Sequence, residues 1–309
     1  MTALLLFPLL LPFIAPALAE RTARRLAPVP AVWLLTLAAL ALAGGSVVAL
    51  GALVLTGLLK MPLFASLGEL VHPLRTPWDA VAVPSAAAAI GLIAVGAWAL
   101  TRSAVRQIRA LRAAHAEAGR RAAGDLCVVD SPHPDAYALP GRPSRIVITT
   151  AMIRSLDPAE REVLFAHERA HNTYHHHYFL AAAELAAYCH PALRPARDAI
   201  RYAAERAADE AAAAAVGDRR LTARAIARAA LASGTHRPER PAVAPAATSG
   251  PVPRRVAALL ADPAPRHRRT APWVAALLAA CAIASVSASA TGVIDFHHKV
   301  EVAQGESAH

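Results

Sequence analysis

The sequence predicts an α-helical membrane protein with four transmembrane helices and a mostly α-helical cytoplasmic domain that carries a small β-sheet. Two observations predict this class. Of the 309 residues, 56% are hydrophobic and only 17% are charged, which is too apolar for an ordinary soluble domain and too charged for a bundle that lies wholly in lipid. The apolar residues are also concentrated in four long segments, and most charged residues lie between the third and the fourth.

The four apolar segments each reach the roughly 18 residues that are needed to cross about 30 Å of hydrocarbon. They run over about residues 2–19, 31–59, 81–100 and 273–294. None of them contains an acidic or basic residue, which favours transmembrane helices over soluble core helices. The first segment ends in Ala-Leu-Ala at 17–19, which resembles a signal-peptidase site. No basic residue precedes it, however, and arginines follow it, so a retained anchor is the favoured interpretation.

Arginine residues predict the orientation of these segments. They occur at 21–25 after the first segment, at 102–121 after the third and at 266–269 before the fourth. By the positive-inside rule, the first loop and residues 101–272 are cytoplasmic, and both termini lie outside the cell membrane. The formal net charge of +10 is therefore interpreted as a topology signal. Nucleic-acid binding is not expected, because aromatic residues do not alternate with the arginines.

The region after the third segment changes character along its length. Thr101 to about Gly124 has the pattern of a basic amphipathic helix. Three short β-rich runs, separated by turn-forming residues, then predict a small sheet at 126–130, 136–139 and 145–150. The cytoplasmic domain is predicted over residues 101–232. A Pro/Arg-rich linker that contains a short helix follows at 233–272, and an external tail at 295–309 follows the last span.

A helix within this domain contains His-Glu-Arg-Ala-His at 167–171. His167 and His171 are four residues apart, so both imidazoles can point at one metal ion. Glu168 is rotated by about 100° from His167 and can act as a base on a water molecule beside that ion. This is the HExxH pattern of zinc hydrolases. The alternative is a solvated histidine-rich helix, but apolar neighbours such as Leu164 favour a half-buried metal site.

Two sequence positions are candidates for the third protein ligand that catalytic zinc normally has. His177 follows at the spacing of the metzincin pattern, but Tyr174 stands where that pattern needs glycine. Glu205 and Asp209 are four residues apart on a helix predicted from about Pro195 to Val216. Glu205 could bind the metal and Asp209 could hold the ring of a zinc histidine. This second site is favoured, and residues 175–177 are then a polar or interfacial run.

The segment VVDSPHPDAYALPGRPSRIVITTAMIRSLDPAEREVLFAHERAH, with the later ERAAD, resembles the integral-membrane gluzincin metallopeptidases. It is most similar to the BlaR/MecR-type antirepressor peptidases, with the HtpX and CAAX-prenyl endopeptidases as cousins. The resemblance implies a gluzincin-like metalloprotease domain that binds Zn²⁺. The zinc ligands that it implies are His167, His171 and Glu205. The implied base is Glu168, and the implied aspartate that holds a histidine ring is Asp209. It also implies that strand 136–139 flanks a cleft where an extended substrate could pair.

One departure from this resemblance concerns the sensor. The β-lactam sensors of the family carry a penicillin-binding domain after the last span, where this sequence has about fifteen residues. Its two lysines, Lys60 and Lys299, do not lie in an SxxK motif, so β-lactam sensing by that route is not expected.

The function predicted from these features is zinc-dependent cleavage of a protein or peptide substrate at the cytoplasmic membrane face. A DNA-binding repressor in a signalling pathway is the substrate that the resemblance implies. The first alternative is a quality-control or prenyl-type membrane protease. The second is a non-catalytic metal-binding membrane scaffold, against which the presence of Glu168 argues, because a binding site needs no base.

Overall fold

Helices make up most of the computed structural model, which describes residues 2–61, 79–234, 251–261 and 271–304 and the single positions 64, 66 and 244. A small sheet lies between the third long helix and a group of shorter helices. The mostly helical fold and the small sheet that the sequence predicts are confirmed. Most of the predicted linker at 233–272 and the end of the predicted tail lie outside the described residues.

The first predicted span is a bent pair of helices rather than one continuous helix. Helix α1 covers Thr2–Leu10 and helix α2 covers Ala15–Arg25, with a 3₁₀ turn at Leu11–Phe13 between them. The segments Leu6–Phe13 and Ala15–Arg25 are bent by 47° relative to one another. Pro12 lies in the turn, and proline both lacks the amide proton of a regular helix and clashes with the preceding turn. Only the two segments taken together, with the bend between them, are long and apolar enough to be one membrane span.

Three long helices match the other predicted spans. They are α3 at Pro28–Leu58, α4 at Asp79–Arg121 and α11 at Ala271–Ala303. By length and composition, three helices of the described part can cross a membrane, or four if the bent pair is one span. Helix α4 joins the predicted third span and the predicted basic helix into one continuous helix. Helix α11 continues past the predicted end at 294, so the predicted tail is helical as far as Ala303.

Close packing of α3 against its neighbours depends on glycine. A Cβ atom added at Gly45 would overlap the Ser285 hydroxyl on α11, and one added at Gly57 would overlap Ala86 on α4. The absence of a side chain at these two positions allows the helix backbones to approach closely, as small residues do between membrane helices.

The sheet has four strands in the order β1-β2-β4-β3. Their bounds are Ala122–Ala123, Leu126–Val129, Ala136–Leu139 and Arg145–Thr149 for β1 to β4. Strands β2 and β4 are parallel, and the other two pairs are antiparallel. All three β-rich runs form strands, and β1 is an addition that the sequence did not predict. Strand β3 lies at an edge of the described sheet.

The two faces of the sheet are covered by different helices. The end of α4 covers one face, where Ala118 packs with Cys127 and Leu139. The other face packs against helices α5 at Thr150–Ser155, α6 at Pro158–Thr173 and α9 at Arg219–Ser233.

Two further helices connect this region to the long apolar helices. Helix α7 covers His176–Cys189 and helix α8 covers Arg194–Val216. One apolar core contains buried residues of α2, α3, α7, α8 and α11, including Leu35, Ile200 and Leu278. The core therefore continues across the predicted boundary at residue 100. The predicted short helix of the linker is also present, as α10 at Val252–Leu260, and it packs on α9.

Candidate metal centre

The start of α6 is held by its own sequence. The Asp157 side chain accepts a hydrogen bond from the Glu160 backbone amide, at 2.9 Å, and the Glu160 carboxylate accepts one from the Asp157 amide, at 3.1 Å. The two reciprocal bonds form a capping box, with Pro158 in the first turn. Arg224 and Arg228 of α9 also bind the buried Glu160 carboxylate. These contacts hold the start of the helix, and His167 and His171 follow about two and a half and three and a half turns after Pro158.

The structure places His167, His171 and Glu205 together. The Nε2 atoms of His167 and His171 are 3.0 Å apart. The Glu205 Oε2 atom lies 3.4 Å from Nε2 of His167 and 3.8 Å from Nε2 of His171. All three side chains are buried, and together they form a group that could hold a metal ion. The group contains Glu205, which the sequence favoured, and not His177.

The donor atoms suit zinc. In a tetrahedral site with zinc–ligand distances of roughly 2.0–2.1 Å, the ligand atoms lie about 3.3–3.4 Å apart. The three distances between donor atoms in this group, 3.0, 3.4 and 3.8 Å, are close to that value. Two imidazole nitrogens and one carboxylate oxygen also form a donor set that leaves a fourth position open in catalytic zinc sites.

The second nitrogen of each histidine ring has a partner. Nδ1 of His167 lies 3.1 Å from Oδ1 of Asp209, the contact that the sequence predicted for this aspartate. Nδ1 of His171 lies 2.7 Å from Nδ1 of His176, a contact that the sequence did not predict. Such partners keep a ligand ring in the tautomer and orientation in which its other nitrogen points at the metal.

A tight turn brings His176 back to the site. Helix α6 ends at Thr173, and His175 has a left-handed backbone with a φ of 53°. After this turn His176 is buried, whereas His175 is exposed and His177 is half-buried. The His177 ring contacts the Tyr178 ring, with ring centroids 4.1 Å apart and ring planes tilted by 43°. The predicted polar run at 175–177 is therefore only partly a polar surface, because its middle residue, His176, contacts the candidate ligand His171.

Arg255 is a part of the site that the sequence interpretation placed in a linker. Its Nε and Nη2 atoms donate to the two carboxylate oxygens of Asp209, at 2.8 and 2.6 Å. Its Nη1 atom lies 3.0 Å from Oε2 of Glu205. The side chain is fully buried. Helix α10 therefore supplies a cation that contacts both a candidate metal ligand and the residue that holds His167.

The region of α2 contacts Arg206 and Arg254, which are the sequence neighbours of Glu205 and Arg255. Arg206, next to Glu205, donates to the backbone oxygens of Ala23 and Leu26, at 2.8 and 3.3 Å. Arg254, next to Arg255, lies 3.2 Å from the Glu20 carboxylate. The Arg206 contacts satisfy carbonyl groups that a helix end leaves without internal partners.

Charge in the site is set by competition between burial and ion pairing. Burial would raise the pKa of Glu205 and of Asp209, but Arg255 and the neighbouring histidines hold the pKa of both carboxyl groups below the ordinary value. Burial would lower the pKa of His167, but the adjacent carboxylates of Asp209 and Glu205 outweigh this and raise the pKa to about 9. Burial and the neighbouring His171 lower the pKa of His176 to about 3. The two carboxylates are therefore ionised, which favours a cation between the ligand atoms.

Glu168 is as buried as its neighbours on α6, with an exposed fraction of 0%. It does not belong to the donor group of the described residues. Its charge nevertheless acts on His167 and on Arg255, since it favours the protonated form of both. The structure thus places the predicted base beside the predicted ligands and separate from them.

Comparison with known proteins gives one match. Residues 101–192 match the family model described as Peptidase family M48. The matched segment is less than a third of the chain and contains the HExxH sequence and His176, whereas Glu205, Asp209 and Arg255 lie beyond it. The match supports an M48-type metallopeptidase, and peptidases of this family depend on a metal, typically zinc. No curated protein and no solved structure matches the chain.

Proposed function

We propose that this chain is a membrane-embedded, zinc-dependent endopeptidase of the gluzincin type, with His167, His171 and Glu205 as zinc ligands. The observation that carries the proposal is the meeting of the two HExxH histidines with Glu205, which lies on another helix and outside the segment that matches the peptidase family. Apolar helices that pack in one core with α8 are compatible with embedding in a membrane.

The chemistry follows from the side chains around this group. When bound, zinc acts as a Lewis acid toward water and toward the scissile carbonyl group. Glu168 removes a proton from the attacking water and delivers it to the leaving amine. Asp209 and His176 hold the two imidazole rings in place, and Arg255 fixes the carboxylates of Glu205 and Asp209. Burial of all these groups excludes bulk water and strengthens their electrostatic effect on the reaction.

The substrate is proposed to bind as an extended chain along β3. This strand lies at an edge of the described sheet, and its neighbour α6, which carries the HExxH residues, packs against it. An edge strand can pair with an extended peptide through main-chain hydrogen bonds. This pairing would place a polypeptide backbone next to the candidate metal centre.

The biological substrate is proposed to be a cytoplasmic transcriptional repressor, as in the BlaR/MecR-type antirepressor peptidases. The support is the sequence resemblance around the HExxH and ERAAD motifs, together with the arginine distribution that predicts a cytoplasmic catalytic region. If the chain instead cleaves membrane proteins and leaves a genetically linked repressor intact, its role is quality control of membrane proteins.

The replacement Glu168→Gln tests whether the chain is a peptidase. The amide cannot accept the proton of water, so hydrolysis of a protein substrate by the purified full chain should fall by about 10²- to 10⁴-fold. Zinc content, measured by elemental analysis of the same preparation, should not change, because Glu168 is not a proposed ligand. Glu162→Gln, on the exposed side of the same helix, is the matched control. Unchanged hydrolysis by Glu168→Gln would exclude the proposed mechanism, and loss of zinc would make Glu168 a ligand.

A further inference from the structure

A row of arginines lies on one exposed face of α4, just beyond its apolar part. The four residues of this arginine face are Arg102, Arg106, Arg109 and Arg112, and all four are exposed. Spacings of three and four residues place their side chains on the same side of the helix. Helix α4 has 43 residues, about twice the number that crosses the hydrocarbon of a bilayer, so its second half extends beyond the apolar part.

The opposite side of this half of α4 is occupied by the rest of the protein. Leu111, Ala114 and Ala118 pack on the sheet, and Ser103 is also buried. Within the described ranges, none of the four arginines forms an ion pair with an acidic side chain. Arg102 lies over the ring of Trp98, with 5.4 Å between the guanidinium carbon and the ring centroid. The arginine face is therefore a concentrated positive charge that the described protein does not neutralise.

Exposed tryptophans indicate where this face lies relative to a membrane. Trp33, Trp98 and Trp273 are 56%, 63% and 78% exposed. They lie near the start of α3, near the end of the apolar part of α4 and near the start of α11. In the predicted topology, these three helix ends all lie at the cytoplasmic surface of the membrane. Tryptophan is enriched at the level of the lipid headgroups, so in the predicted topology these three residues indicate that level on three helices.

The arginines begin one helical turn beyond that level. Arg102 is four residues after Trp98, about 6 Å along the helix axis. Each headgroup layer of a bilayer is roughly 5–8 Å thick, and an arginine side chain can reach back toward it. Arg102 and Arg106 can therefore reach lipid phosphates, while Arg109 and Arg112 lie about 10–15 Å further along the helix axis than Arg102.

We propose that the arginine face of α4 binds anionic phospholipids. In this proposal, Arg102 and Arg106 contact the lipid phosphates directly, and Arg109 and Arg112 add to the attraction from further away. A guanidinium group can donate two parallel hydrogen bonds to one phosphate. The exposed apolar side chains of Val105 and Ile108 lie beside the arginines, which suits a lipid surface better than an acidic protein.

This binding goes beyond the proposed peptidase activity and does not depend on it. The same helix carries the sheet on its other side. Lipid bound to the arginine face would therefore anchor the helix that supports strand β3 and, next to it, the HExxH helix.

Lipid binding by the purified full chain tests the proposal directly. The detergent-solubilised protein would be stripped of lipid and then titrated with phosphatidylglycerol or phosphatidylcholine, with bound lipid counted by native mass spectrometry. We expect wild type to bind phosphatidylglycerol more tightly than phosphatidylcholine. Attraction to an anionic surface changes by about 5-fold for each basic residue, so Arg102→Gln/Arg106→Gln should weaken phosphatidylglycerol binding by about 10- to 30-fold and leave phosphatidylcholine binding unchanged.

The matched control is Arg154→Gln/Arg220→Gln. These two arginines are also exposed and have no ion pair in the described part of the chain, and the replacement changes the net charge equally. The control should retain the preference of wild type. Equal affinity of wild type for the two lipids, or an equal loss in the control, would overturn the proposal. Zinc content of all variants reports on folding, so a failed lipid result is distinguishable from a failed peptidase proposal.

Discussion

Arg255 and Asp209 form a buried, two-bonded ion pair between α10 and α8, with nitrogen–oxygen distances of 2.8 and 2.6 Å. Because the same guanidinium also contacts Glu205, one cation compensates two buried carboxylates. Removal of one member of a buried ion pair is costly, because its partner then remains as a buried charge without compensation.

We therefore expect Arg255→Met to lower the stability of zinc-depleted protein by about 3–5 kcal/mol, measured as thermal unfolding in detergent with a chelator present. Saturating zinc should restore part of this loss, because a bound cation again compensates the carboxylates. The control is Arg254→Met, which removes only an exposed ion pair with Glu20 and should cost less than about 1 kcal/mol. Equal stability of the two variants would show that the buried pair contributes nothing measurable.

The identity of the third zinc ligand can be tested by metal content. Glu205→Ala should remove zinc about as completely as His171→Ala, because each removes one of three proposed ligands. His177→Ala should retain zinc, because this side chain contacts Tyr178 and lies outside the donor group. Glu210→Ala, on the same helix as Glu205 and bound to Arg219, controls for the loss of a carboxylate. Zinc that persists without Glu205 and disappears without His177 would indicate a metzincin-like site.

Removing a residue that holds a ligand ring should weaken zinc binding without abolishing it. His176→Ala leaves Nδ1 of His171 without its partner at 2.7 Å, and Asp209→Ala does the same for His167. Loss of such a contact typically costs 10- to 100-fold in metal affinity, which competition with a chromophoric chelator can measure. A wild-type affinity in His176→Ala would mean that packing alone orients the His171 ring.

The proposed orientation in the membrane has its own test. A reporter fused after His309 should be external, and one inserted near Gly250 should be cytoplasmic, because arginines cluster at 21–25, 102–121 and 266–269. Protease protection or a compartment-specific reporter enzyme distinguishes the two sides. An external Gly250 insertion would reverse the orientation, and a cytoplasmic repressor could then not be the substrate.

Local sequence patterns predicted the residues that share one helix. The HExxH spacing depends only on helix geometry, so the pairing of His167 with His171 followed directly. Glu205 and Asp209 were also found from a four-residue spacing. Their meeting with α6 required only that the two helices pack side by side.

Two members of the site were missed because their positions depend on non-local structure. His176 reaches His171 only through the left-handed backbone of His175, which no helical spacing predicts. Arg255 reaches the site from a separate segment of the chain. A signal for it existed, because it follows Val252 by three residues and precedes Leu259 by four, which places an arginine on the apolar face of a short helix. The bend of the first apolar segment had a signal in Pro12, and its length alone suggested a straight span.

The shared apolar core also bears on how the protein folds during synthesis. Ile200 and Ala203 of α8, next to the Glu205 position, pack in one cluster with residues of α2 and α3 and with Leu278 and Ala282 of α11. A nascent chain on the ribosome contains all the proposed zinc ligands before it contains α11. The helix that carries Glu205 therefore lacks part of its packing until α11 has been synthesised, so completion of the site follows the translation of that helix.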